Sequence, residues 1–145
     1  MLRGADGFSL VEMLVVVAIL SVLAVGATLP LSRSGPGVAG DAAALTQAAG
    51  QLRVLAMVSD RPRALSLQES GWQAERRADG AWSPEGPPGP FARARARLPT
   101  DAEARVVFLP DGRASGPAFV LEGPAGDGSS ADCAVVDWRL TCRTR

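Results

Sequence analysis

The sequence contains no histidine, no tyrosine and no lysine. Without histidine, the commonest side-chain general base and metal ligand is missing. A hydrolytic triad built on histidine is excluded. Only two cysteines are present, Cys133 and Cys142. Two cysteines do not make a zinc site without further ligands. The chain therefore reads as non-catalytic, with no cofactor and no metal expected. Formal net charge is zero, 15 arginines balancing 15 acidic residues, which does not point to a generally basic nucleic-acid binder. Charge is absent altogether from residues 13–31, where Ser21 and Thr28 are the only polar side chains.

That uncharged run organises the chain. As a helix, residues 8–31 span roughly 36 Å, enough to cross a hydrocarbon core of about 30 Å. Glu12 stands near its start. A carboxylate near the bilayer centre costs about 2.5–3.5 kcal/mol, so an acid in a membrane segment calls for a function and a cationic partner. Two plainer readings exist. Residues 1–27 have Arg3, an apolar core and Val25-Gly26-Ala27, which would serve as a secretory signal peptide cut after Ala27. A single-pass anchor is the other. Neither gives Glu12 a purpose. Arg3 before the span and Arg33 after it do not fix orientation.

The stretch Gly7-Phe8-Ser9-Leu10-Val11-Glu12, followed by the apolar run, resembles the type III signal of type IV pilins and type II secretion pseudopilins. The resemblance implies cleavage by a prepilin peptidase between Gly7 and Phe8, then N-methylation of Phe8. It also implies that Glu12 meets the terminal amine of a neighbouring subunit during assembly. Opposite charges attract strongly in a low dielectric and are each penalised alone. The leader would be residues 1–7, the assembly helix 8–31, and the rest would face the periplasm from the inner membrane.

Residues 32–40 hold three glycines and Pro36, and should break or fray the helix. Asp41 is a suitable N-cap for a second helix over residues 42–59. Leu45, Ala48, Ala49, Leu52, Leu55, Ala56 and Ser59 give that helix one apolar face. Arg61-Pro62 ends it. The remainder reads as short strands and turns. Residues 64–68 and 72–76 form a hairpin about Glu69-Ser70-Gly71, and Asp79-Gly80 marks the next turn. Residues 84–90 form a loop. Residues 91–98 alternate strictly, placing Arg93, Arg95 and Arg97 on one face. Residues 105–109 form a strand, Pro110-Asp111-Gly112 turns it, and residues 117–122 return. The last hairpin folds about Asp137-Trp138.

Residues 52–65, with Arg53 and Arg61-Pro62, look like the helix end of H-type pseudopilins. Residues 106–116, with Phe108, Pro110-Asp111-Gly112 and Ser115, resemble a second hallmark of that GspH/FimT branch. The resemblance implies a type IV pilin-like α+β fold, a long N-terminal helix packed on an antiparallel sheet domain at residues 41–145. It implies a minor pseudopilin near the tip of a type II secretion filament that exports folded proteins. Its partners would be other minor and major pseudopilins, the prepilin peptidase and the inner-membrane secretion platform.

Arg93, Arg95 and Arg97 could bind an anion or a partner, or form the solvated face of an edge strand. Arg143 and Arg145 sit where FimT-type competence pilins carry a DNA-binding Gly-Arg-x-Arg tail. Cys142 replaces that glycine and no aromatic platform accompanies it, so nucleic acid is not expected. A FimT-type minor pilin and an unrelated secreted β-domain remain the alternatives. Cys133 and Cys142 fall opposite each other if the last hairpin is symmetric, which suits a disulfide in an oxidising periplasm. Two free core thiols are the other reading. Residues 126–132 could wrap calcium but lack the EF-hand pattern, and read more simply as an acidic loop.

Overall fold

The computed structural model describes residues 10–27, 37–100 and 104–145, with side chains of the first helix described at residues 11–19. The chain divides into two compact units, Met1–Arg33 and Ser34–Arg145. Gly7, Phe8 and most of the glycine-rich segment lie outside the described residues.

In the first unit, α1 is Leu10–Ala27, 18 residues with Glu12 in its first turn. Its leucines and alanines favour the helix, while its β-branched valines and isoleucine lower the propensity slightly. Its rise is about 27 Å, shorter than a hydrocarbon core of roughly 30 Å. Among the described residues no helix is long and apolar enough to cross a membrane. The expected span over 8–31 reaches beyond them at both ends.

The second unit begins with α2, Val38–Ser59. Gly37 is its N-cap, at a φ of 99°, and its carbonyl accepts from the backbone N–H of Gly40 and Asp41. The helix thus starts before Asp41, which is not the N-cap expected from sequence. Val38, Ala39 and Gly40 are helical as well, so the expected break does not extend through residue 40. Asp60, left-handed at φ 51°, ends the helix and Pro62 follows. Ala42, Leu45, Ala49, Leu52 and Ala56 form the buried face. Alanine at three of these five positions lets the helix approach the strands closely. Leu55, expected on that face, is 42% exposed.

Two antiparallel sheets meet this face. The first holds β1 (Arg63–Gln68), β2 (Gly71–Ala78), β3 (Ala81–Pro84), β4 (Gly89–Pro90), β6 (Arg105–Phe108) and β7 (Ala114–Ser115). Its order is β3-β2-β1-β6-β7, with β4 also paired to β2. The second holds β5 (Arg95–Arg97), β8 (Phe119–Glu122), β9 (Ser130–Val136) and β10 (Arg139–Thr144), in the order β10-β9-β8-β5. Leu65, Val106, Phe108, Leu121 and Cys133 from both sheets join the α2 face in one apolar core. The described fold is therefore α+β.

Tight turns set the registers. Asp79-Gly80 and Asp137-Trp138 each place two successive residues at positive φ, which matches the twist of a two-residue hairpin. The β1–β2 turn is Glu69-Ser70 alone, and Gly71 already pairs with Gln68. Gly71 lies so close to the Gly89 carbonyl that a side chain has no room there.

Two strand expectations are corrected. Residues 117–122 do not return along β6. The two-residue β7 does so, and β8 pairs with β5 and β9 in the second sheet. Gly116 packs its backbone against Val106, where a Cβ would lie 2.9 Å from a valine methyl. Pro117 has no N–H to continue the ladder. The chain therefore leaves one sheet for the other. Residues 91–98 are also not one strand, since only Arg95–Arg97 forms it.

Candidate functional site

Asp41 explains the shortened strand. Its carboxylate accepts from three successive backbone N–H groups, those of Ala92, Arg93 and Ala94, at 2.7–2.8 Å. Successive N–H groups of a strand point to opposite sides, so three converging on one acid require a turn-like nest. Asp41 is 6% exposed and satisfied by these bonds. It ties the start of α2 to the approach to β5.

From there the alternation expected for the arginine stripe appears. Ala94 and Ala96 are buried, while Arg93, Arg95 and Arg97 are exposed. β5 is an edge strand of its sheet. Arg95 pairs with Glu69 at 2.8 Å and Arg97 with Glu122 at 3.2 Å. Exposed pairs of this kind contribute about 0–1 kcal/mol each. At these two positions the stripe is neutralised from within the domain.

Cys133 and Cys142 are bonded, their Cα atoms 4.1 Å apart and directly opposite in the β9–β10 ladder. The basic tail belongs to the same hairpin. Arg143 faces Asp132 in the register. Arg145 pairs with Asp132 at 2.6 Å and its backbone N–H donates to the Ser130 carbonyl. The tail is thus laid into the sheet rather than extended from it. Among the described residues no group of three or more acidic or cysteine side chains could hold a metal ion.

Glu12 lies in the first turn of α1, where the helix dipole favours an acid. Around it Val11, Met13, Leu14, Val15, Val16, Val17 and Ile19 are all exposed. Every side of this segment is apolar. The expected cleavage positions, Gly7 and Phe8, are outside the described residues.

The sequence reading missed the outward face of α2. Val54, Leu55, Met57 and Val58 are 39–79% exposed. Val54, Leu55 and Val58 make with Gln47, Gly50 and Gln51 an uncharged surface three turns long, while Met57 lies toward the Gly112 turn. A soluble helix normally shows a polar face to solvent, and one that is apolar all round is normally buried on both sides. The signal was present in the sequence, since residues 42–59 hold no lysine or acid and only Arg53 as a charge.

Arg53 donates from Nε to the Gly112 carbonyl at 2.7 Å, fastening α2 to the Pro110-Asp111-Gly112 turn. In that turn the Arg113 backbone N–H and then its guanidinium hold the Asp111 carboxyl below its ordinary value. On the first sheet Arg105 pairs with Glu75 at 2.8 Å, and Arg105 and Arg77 flank the Trp82 ring.

No curated protein and no solved structure matches the chain significantly. Residues 2–28 match the prokaryotic N-terminal methylation motif. That match spans Gly7, Phe8, Glu12 and α1, and supports a chain of the type IV pilin-like kind. The motif implies processing by a prepilin peptidase, anchoring through the N-terminus and assembly into a pilin-like filament.

Proposed function

We propose that this chain is a minor pseudopilin of a type II secretion system, of the H-type GspH/FimT branch. It is non-catalytic and acts by assembling, with other minor and major pseudopilins, near the tip of a short filament. The filament works with the inner-membrane secretion platform to export folded proteins. One observation carries the assembly reading. α2 is apolar on two faces and its own domain covers only one of them. The methylation motif supplies the other half, an apolar helix with a single acid. Glu12 would meet the terminal amine of Phe8 in the next subunit, and the pair would set the register between helices. The Pro110-Asp111-Gly112 turn, exposed Ser115 and buried Phe108 support the H-type branch by their likeness to its hallmark.

The test is the N-terminal mass of the mature protein from its native host. A chain starting at N-methylated Phe8 is the expected result. A start at Thr28, or an intact Met1, overturns the filament reading. Loss of secretion, with pilus functions intact, on deleting the gene separates a pseudopilin from a pilus subunit.

A further inference from the structure

Beside the uncovered face of α2 lies a cleft of about 350 Å³ between the helix and β10. Phe108 and Leu140, both buried, line it. Arg53 from α2 and Arg139 from the start of β10 line it too, and no carboxylate does. Arg63, Arg95, Arg97, Arg105, Arg113 and Arg145 each hold an acid within the domain. Among the described residues Arg53 and Arg139 hold none, as is true of Arg61, Arg76, Arg77, Arg93 and Arg143, but Arg53 and Arg139 alone line this cleft. The bond from Arg53 Nε to Gly112 fixes the direction of its guanidinium and leaves the terminal amino groups for another acceptor.

The cleft and the apolar surface are continuous, because Gly50 and Val54 line both. Gly50 is informative. A glycine inside a helix costs about 1 kcal/mol relative to alanine. A Cβ placed on it would meet nothing within 4 Å, so the domain's own packing does not require it. A bare backbone on an outward apolar face permits close approach of a second helix. Residues 47–58 give that face a length of about 17 Å, matching three turns of a partner.

We propose that this surface receives an apolar helix of a neighbouring filament subunit, and that a carboxylate on that helix enters the cleft between Arg53 and Arg139. The inference rests on the filament reading above. Guanidinium groups hold carboxylates through paired hydrogen bonds, and pairing is strengthened where the apolar stripe excludes water. The apolar stripe supplies contact area, and the arginines decide which subunit and which register fit it.

The experiment uses the full-length chain in its native host with Val54→p-benzoylphenylalanine as a photocrosslinker. The expected product joins a filament subunit through a helical peptide that has an Asp or Glu within one turn of the attachment point. Arg139→Glu lowers the yield about tenfold and Arg139→Lys largely preserves it. Reversing the partner acid to arginine restores the yield with Arg139→Glu. Where Arg139→Glu fails to accumulate, changing the partner acid to its amide gives the same reading without touching this chain. An unchanged yield with Arg139→Glu, a partner peptide without an acid, or a phospholipid adduct overturns the inference and leaves the filament reading standing. Absence of any cross-link from Val54 overturns the covered face of α2 and the inference with it, while the mature N-terminus reports separately on processing.

Discussion

The two faces of α2 have similar side chains and opposite fates. Leu45 and Leu52 are buried against two sheets, whereas Val54 and Val58 stand in solvent on the other side. Apolar character alone therefore does not identify the core of this domain. Coverage depends on which face meets the strands, and that is decided by residues far away in sequence. An apolar face that its own domain leaves bare fits the docking of a second helix proposed above. The inner face should be sensitive in stability, and the outer face in association.

The largest effect should come from Leu45→Ala. Leu45 is fully buried, and its truncation should destabilise the domain by about 2–5 kcal/mol in denaturant unfolding of the full chain in detergent. A smaller loss would mean that the two sheets close around the cavity. Asp41→Ala comes next, at about 2–3 kcal/mol, because it leaves three backbone donors without their acceptor. Asp41→Asn should recover part of that loss. Val58→Gln should change stability by no more than about 0.5 kcal/mol. It should nevertheless reduce cross-linking to neighbouring subunits. A large loss of stability from Val58→Gln would erase the distinction between the faces.

The smallest effect lies at Asp111, outside both faces. Its carboxyl is held below the ordinary 3.8 by the backbone N–H and then the guanidinium of Arg113. A lowered folded value adds stability above the unfolded value, and that stability is lost as pH falls through the lowered one. Melting curves of Asp111→Asn and the parent should thus differ at neutral pH and converge in strong acid. Divergence on acidification would contradict the sign.

Local chemistry made much of the fold legible. Asp79-Gly80 and Asp137-Trp138 announce tight turns, and symmetric pairing about the second places Cys133 opposite Cys142. The three-four spacing of Leu45, Ala49, Leu52 and Ala56 marks the inner helix face. What stayed hidden was non-local. Asp41 has the right chemistry for an N-cap, but its acceptors are used 51–53 residues away. The change of sheet after β7 depends on Gly116 lying against Val106, a contact no pattern in residues 110–122 encodes. For the candidate site, the acid and apolar run of α1 were plain. The Arg53–Arg139 cleft was not, since it forms only when β10 lies beside α2.

The carboxylate of Asp41 has a consequence for exchange with solvent. Amides outside regular strands normally trade their hydrogens quickly, because nothing but water competes for them. Those of Ala92, Arg93 and Ala94 lie outside any strand yet are held by a buried acid on the helix. Their exchange therefore requires α2 to lift from the domain or the segment to detach. In deuterated buffer these three hydrogens keep time for the docking of the helix, and they would slow further when a neighbour clamps its outer face.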